Sequence, residues 1–218
     1  MHIDKNILDF YQSSGLYDRV ILRKSNIENK LTLINLKTKI ASLASFYNKN
    51  KNQAVFSDGN ENSKIMIIGD MPGVSDEIKK KPFSGDAGEL LDKMLLAINL
   101  DRNKVYLTNI INYRLEDNKK PSEKDIQKFL PLIIDHISII NPKIVLLMGA
   151  VTSQALIGKE NSISKIRGKW FNLKIKNKFI NFMPTLHPVF LMRQSEQKKL
   201  AWEDLKRFYN KLVSEKLC

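Results

Sequence analysis

The sequence predicts an α/β protein: a three-layer α/β/α sandwich with a central, mainly parallel four-stranded sheet and an N-terminal helical extension. Short apolar runs at residues 65–68, 105–108, 144–148 and 179–183 alternate with longer segments of helical periodicity. Continuous apolar runs are typical of strands buried on both faces. Strands that alternate with helices form parallel sheets with helices on both sides, which gives the three layers.

Four helices are predicted between and after these strands, at residues 88–98, 122–140, 150–157 and 197–212. Ser122 is expected to cap the second of them, because a serine hydroxyl accepts a hydrogen bond from a free N–H group of the first turn. Glu123 and Asp125 favour the same end, since acidic side chains stabilise the positive end of the helix dipole.

The beginning of the chain has a different pattern. Residues 3–13 and 31–47 carry apolar side chains at helical spacing, and a polar stretch with a turn signal at Asp58-Gly59 follows. We therefore predict that residues 1–50 are a helical extension packed on a main domain of residues 51–218.

Composition limits the function only broadly. The 218 residues carry a formal charge of +13, which indicates a partner such as nucleic acid, although many lysines could form only a solvated surface. No apolar run is long enough to cross a bilayer, and the start lacks the apolar stretch of a signal peptide. We expect a cytoplasmic monomer with no membrane partner. The one cysteine, Cys218, allows neither an internal disulfide nor a cysteine-based metal cage, so no metal or other cofactor is expected.

Chemically useful side chains follow the predicted strands in turn. Asp70 comes after the first strand, Asn109 ends the second, Gly149 follows the third, and His187 follows the fourth. Ligands of open α/β sheets bind beyond the carboxyl ends of the strands. An acid, an amide, a glycine turn and a histidine on one edge of the sheet indicate an active site.

Several segments around these residues resemble the family-four type of uracil-DNA glycosylase. They are GDMPG at 69–73, KPFSG at 81–85, GELL at 88–91, NIINYR at 109–114, SISKIRGKW at 162–170 and HPVFLMR at 187–193. The resemblance runs in the right order over residues 54–212, and the start of the chain resembles the bacterial branch with a helical extension. It implies a DNA-repair enzyme that flips uracil out of DNA and hydrolyses the bond between base and sugar.

The resemblance also implies residue roles. Asp70 would orient or deprotonate a water and stabilise the sugar cation, and His187 would donate a hydrogen bond to uracil O2. Asn109 would pair with the edge of the flipped base and Phe83 would stack on it. The further substrate-binding candidates are Gly69, Met71, Gly73 and Asp76, the last as a side chain that crowds the thymine methyl. The DNA-binding candidates are Ser84, Gly85, Arg167, Lys169, Pro188, Leu191, Met192 and Arg193. Of these, Leu191 and Met192 would form a minor-groove wedge and Arg193 would contact a phosphate.

Two positions depart from the family pattern. Most family-four enzymes hold an iron–sulfur cluster on four cysteines, and Tyr113 stands where one such cysteine falls. The sequence therefore predicts no cluster, with the loop held by packing. Asp70 stands where the family usually has glutamate, which keeps the carboxylate but shortens its reach by one methylene.

Simpler interpretations stay open. Asp70 could be a turn residue, His187 a structural histidine, Phe83 and Leu191 core residues, and Arg167 and Lys169 surface charge. Three other functions are considered: cleavage of other deaminated bases, non-catalytic binding of damaged DNA, and nucleotide binding. The second is disfavoured because the turn at 166–170 has neither the insertion nor the histidine of the covalent trapping group. The third lacks a phosphate-binding glycine signature.

Overall fold

A computed structural model describes residues 32–116, 119–158, 160 and 162–217, and in these ranges the chain forms a six-stranded sheet of order β1–β3–β2–β4–β6–β5. The strands are β1 Ser57–Gly59, β2 Ile65–Gly69, β3 Tyr106–Asn109, β4 Ile144–Met148, β5 Phe171–Ile175 and β6 Lys178–Thr185. The four inner strands are parallel to one another, and β1 and β5 pair antiparallel at the two edges. The sheet is therefore mainly parallel.

The α/β class and all four predicted strands are confirmed, but the prediction of only four strands is wrong. Strand β1 contains Asp58 and Gly59, for which the sequence predicts a turn, and it pairs with β3 through its backbone. Among the described residues, strand β5 pairs with β6 alone, and it alternates between partly exposed and exposed residues until Ile175. Edge strands of this kind carry no continuous apolar run, because only one side or face of them is covered. The sequence pattern therefore does not reveal them.

The helices are α1 Leu33–Ala41, α2 Val74–Lys79, α3 Asp86–Leu96, α4 Glu123–Ile140, α5 Ala150–Ile157, α6 Ile163–Ile166, α7 Pro188–Arg193 and α8 Lys198–Ser214. Short 3-10 turns lie at Ala44–Tyr47, Lys51–Gln53 and Ser195–Gln197. Ser122 caps α4 as predicted, its hydroxyl accepting from the Asp125 N–H at 3.2 Å. No helix in the part of the chain described here is long and apolar enough to cross a membrane.

Two apolar cores lie on opposite faces of the sheet. Met66 and Ile68 of β2 face the core beneath α1, α4 and α5, whereas Ile65 and Ile67 face the core beneath α3 and α8. Successive side chains of a strand point to opposite faces, so one apolar strand supplies both cores. This arrangement is the predicted three-layer sandwich.

The described part of the N-terminal segment packs into the first of these cores. Leu36 and Ile40 of α1 are fully buried there, and Ala44 follows in the next turn. The helix predicted at residues 3–13 lies outside the described residues. The division of the chain into an extension of residues 1–50 and a main domain stays a prediction.

Candidate active site

The carboxyl ends of the four parallel strands bring the candidate catalytic side chains together. Gly69 of β2 lies opposite Asn109 of β3 in the sheet register, and the Ile111 N–H donates to the Asp70 carbonyl at 3.1 Å. At the end of β4, Gly149 lies between Asp70 and His187. A β-carbon on Gly149 would be 3.1 Å from His187 Cβ and 3.2 Å from Asp70 Oδ2. The two candidate catalytic groups are therefore near neighbours.

The Asp70 carboxylate is held by the N-terminus of α5. Its Oδ1 accepts hydrogen bonds from the Thr152 N–H, at 3.0 Å, and from the Thr152 hydroxyl. The first N–H groups of a helix have no partner within the helix, and Gly149 at the cap position has no side chain to offer one. Asp70 supplies the missing acceptor from another segment, and the positive end of the helix stabilises its charge. Oδ1 is thereby fixed, which suits a carboxylate whose other oxygen meets a substrate.

The surroundings of His187 select a neutral imidazole with its proton on Nε2. Burial lowers the pKa of His187, although the negative charges of Asp70 and Asp76 act in the opposite direction. The Val189 N–H donates to His187 Nδ1 at 3.1 Å, so Nδ1 is an acceptor without a proton. In a neutral imidazole the other nitrogen then carries the hydrogen. His187 therefore presents one N–H donor at neutral pH.

Beside this pair, Gly69, Phe83 and Asn109 form a tightly packed group. A side chain on Gly69 would collide with Asn109 Oδ1 and with the ring of Phe83. Phe83 is 5% exposed, and its ring centroid lies 6.1 Å from that of His187, with 27° between the planes. Asn109 is also buried, and its Nδ2 has no hydrogen-bond partner among the described residues. A buried amide donor without a partner costs free energy unless a ligand completes it.

Asp76 joins the two loops that border this group. Its Oδ2 accepts from the Gly73 N–H at 2.9 Å, and its Oδ1 accepts from the Ser84 N–H at 2.6 Å. Gly73 is the exposed cap residue of α2, and Met71 in the same loop packs against the first core. Both carboxylate oxygens of Asp76 are thus occupied by backbone groups.

Helix α7 places its side chains differently from the sequence expectation. Leu191 is 0% exposed and packs in the second core, and Pro188 at the first helical position is buried. Phe190 is 43% exposed and Met192 46% exposed, with Arg193 exposed beside them. The apolar surface of α7 is therefore formed by Phe190 and Met192 together with Val189, which is 40% exposed.

The other DNA-contact candidates lie at two places. Gly85 caps α3 and packs closely on Ser75, where a β-carbon would be 3.0 Å from the Ser75 hydroxyl. Lys169 is exposed, whereas Arg167 is mostly buried in an ion pair with Asp204, with 2.7 Å between Nη2 and Oδ1. The structure gives Arg167 a role in fixing the turn at 166–170 to α8.

Two residues near the site were not found from the sequence. Thr152 lies in a segment whose apolar pattern predicts only a buried helix. Its position in the first turn after Gly149, at the edge of the sheet, is the signal that could have identified it as a site residue. Arg102 lies in the turn before β3 and contacts the backbone of Phe83. It carries no sequence signal, because its partners are distant in the chain.

The place of the cluster cysteine is filled by aromatic packing. Tyr113 is fully buried, its hydroxyl donates to the Ile40 carbonyl at 3.3 Å, and its ring stacks on Tyr47 at 5.9 Å. These side chains do not fit an iron–sulfur cluster, which needs thiolate ligands. The one cysteine of the chain, Cys218, lies outside the described residues.

Comparison with known proteins identifies the family of this chain. Residues 56–206 match the model of the uracil DNA glycosylase superfamily. The chain is 33% identical to the type-4 uracil-DNA glycosylase of Sulfurisphaera tokodaii over 171 residues, 76% of this chain and 78% of that protein. It is 33% identical to the type-4 enzyme of Saccharolobus solfataricus over 77% of this chain and 80% of that protein, and 30% identical to that of Thermotoga maritima over 72% and 82%. The chain belongs to the uracil DNA glycosylase superfamily.

Proposed function

We propose that this protein flips uracil out of DNA and hydrolyses its N-glycosidic bond, leaving an abasic site. The observation that carries the proposal is the buried Nδ2 of Asn109, which has no partner among the described residues and lies beside Gly69 and Phe83. Uracil offers a carbonyl oxygen at position 4, which would accept from Nδ2, and an N3–H that Asn109 Oδ1 would accept. Cytosine has an amino donor at position 4, so two donors would face each other and remain unpaired.

In this proposal His187 and Asp70 share the chemical step. As the bond to the sugar breaks, negative charge grows on uracil and positive charge grows on the sugar. The Nε2–H of a neutral His187 stabilises the departing base by donating to O2, without having to give up a proton. Asp70, anchored through Oδ1 by Thr152, uses Oδ2 to orient the attacking water and to stabilise the sugar cation.

Phe83 and Asp76 complete the base pocket. The Phe83 ring stacks on the flipped base, because flipped bases are read by stacking as well as by hydrogen bonds. Asp76 contributes by holding the loops at Gly73 and Ser84 together, since both its oxygens are used there. The close packing of these loops is what excludes the thymine methyl in this proposal.

The DNA partner would lie across the face formed by α7, the N-terminus of α3 and Lys169. Phe190 and Met192 are the most exposed apolar side chains of α7 and would enter the minor groove, with Leu191 supporting them from the core and Arg193 reaching a phosphate. The net charge of +13 assists this contact through counterion release. The proposal further includes a monomer in the cytoplasm and a helical extension ahead of the catalytic domain.

The test is cleavage of matched oligonucleotides that contain uracil, thymine or hypoxanthine at one position, followed by alkali to cut abasic sites. We expect cleavage at uracil and none at thymine. Asn109→Leu should abolish uracil cleavage, whereas Asn172→Ala on the edge strand β5 should leave it unchanged. A folded protein that cuts only the hypoxanthine strand would instead support an enzyme for other deaminated bases. Binding without any cleavage would support a DNA-damage binder.

A further inference from the structure

The backbone of Phe83 has an unusual conformation. Its φ is +55°, in the left-handed region that bulky side chains rarely enter. Such a backbone conformation is strained and persists only where the surrounding structure enforces it. The conformation also aims the ring at Gly69 and His187. The structure must therefore contain groups that hold the peptide of Phe83 in place.

The peptide that joins Phe83 to Ser84 is held at both ends. Its N–H donates to Asp76, as described above. Its carbonyl oxygen accepts from the Arg102 guanidinium, and the same guanidinium donates to the Pro82 carbonyl at 3.3 Å. Gly88 of α3 lies so close to the Phe83 carbonyl that a β-carbon on Gly88 would collide with it. Rotation of the peptide would break contacts on both sides.

Arg102 is itself fixed by two carboxylates from other elements. Its Nη1 is 2.8 Å from Asp58 Oδ2 on β1, and its Nε is 2.8 Å from Asp92 Oδ1 on α3. Burial raises the pKa of Asp58, but the hydrogen bond from Arg102 and the charge of Lys81 outweigh burial and lower it. Asp58 is therefore ionised at neutral pH and pairs with Arg102. The planar guanidinium suits this place, because it has five N–H donors in a rigid fork.

We propose that Arg102 is a positioning residue for base recognition: it holds the backbone of Phe83 so that the ring is already placed when uracil arrives. The inference rests on the proposed function, in which Phe83 stacks on the flipped base. In the described structure the hydrogen bonds and ion pairs of Arg102 go to Asp58, Asp92 and the backbone of the Phe83 loop, and none of them involves a candidate catalytic residue. The Arg102 side chain is 26% exposed, and its contact with Phe83 is to the backbone carbonyl. Its effect on catalysis would thus pass through the Phe83 ring.

A double-mutant cycle separates positioning from general stabilisation. Single-turnover cleavage of a uracil oligonucleotide is measured for the wild type, Arg102→Ala, Phe83→Ala and the double variant. We expect Arg102→Ala to slow cleavage about tenfold, within the range that stacking on one aromatic ring supplies. In the Phe83→Ala background the same change should slow cleavage less than about twofold, because residues that act through each other are not additive.

Lys211→Ala is the matched control. Lys211 forms an ion pair with Glu215, at 2.9 Å, and Glu215 accepts a hydrogen bond from Asn181, which lies in the N-terminal half of β6, whereas the site lies beyond its C-terminal end. This variant removes a cation and an ion pair, and its rate should equal that of the wild type. If Arg102→Ala fails to fold, Arg102→Met keeps the volume of the side chain and removes its donors. The same loss and the same dependence on Phe83 are expected for it.

The outcomes distinguish the inference from the proposed function. If the wild type does not cleave uracil DNA, the proposed function fails and the inference fails with it. If the wild type cleaves and Phe83→Ala is slow, two results would overturn the inference alone. One is an Arg102 variant with the wild-type rate, and the other is an equal loss in both backgrounds.

Discussion

Replacing Asp70 by asparagine isolates the negative charge from the geometry of the site. Oδ1 of Asp70 accepts both hydrogen bonds from Thr152, and an asparagine could accept the same two with its own carbonyl oxygen. Only the outer oxygen changes, from an anionic acceptor to an amide donor. Losing the charge at the N-terminus of α5 should cost about 0.3–1 kcal/mol of stability. The variant should therefore fold and bind DNA.

The chemical step should respond far more strongly. Two unit charges about 4 Å apart interact by about 4 kcal/mol at an effective dielectric constant of about 20. With a partly developed sugar cation, the loss would be about 3 kcal/mol, or roughly 100-fold in rate, since about 1.4 kcal/mol corresponds to a factor of ten. Single-turnover cleavage with enzyme in excess measures this step without product release.

Asp70→Glu is the charge-retaining control, and we expect it to cleave faster than Asp70→Asn. Binding of uracil DNA by both variants should stay near the wild-type affinity, because the interaction is made mainly in the transition state. A wild-type rate for Asp70→Asn would refute the reasoning. In that case another group handles the water, and Asp70 only caps α5.

Three other predictions follow from the structure. His187→Ala should slow the chemical step roughly 100-fold with DNA binding retained, because it removes one preorganised donor; loss of folding and binding together would make the histidine structural. Phe190→Ala should weaken binding of uracil-containing duplex DNA with little change in the melting temperature of the protein. Leu191→Ala should lower the melting temperature, because truncating a buried leucine costs about 2–5 kcal/mol of stability. The reverse pattern would show that Leu191, and not Phe190, enters the minor groove. Burial lowers the pKa of His136 to about 3, so the folded state keeps it neutral while the unfolded state takes up a proton below about pH 6.5. The free energy of unfolding in urea should fall by roughly 1 kcal/mol or more per pH unit as the pH is lowered from 6.5 to 4.5. His136→Gln should reduce this pH dependence of stability. An unchanged pH dependence would exclude His136 as its source.

The amino-acid pattern is sufficient to predict the inner strands of the sheet and the edge on which the candidate site lies. Four apolar runs identify the parallel strands, because strands covered on both faces must be apolar throughout. The strand order was not needed to place Asp70, Asn109 and His187 at one edge, since all parallel strands end on the same side. The helix cap at Ser122 could also be predicted from the sequence, because capping depends on residues only three positions apart.

The side chains that position the candidate site residues can be identified only from tertiary contacts. Strand β1 forms because β3 offers its backbone, although Asp58-Gly59 locally favours a turn. Thr152 binds Asp70 across 82 residues of sequence, and Arg102 reaches the Phe83 carbonyl from 19 residues away. Leu191 is buried because its side of α7 faces the second core. These contacts join segments that are distant in the chain. They cannot be predicted from local propensity, because propensity depends only on neighbouring residues. The candidate catalytic residues could therefore be proposed from the sequence, whereas the residues that contact and position them became visible only in the folded chain.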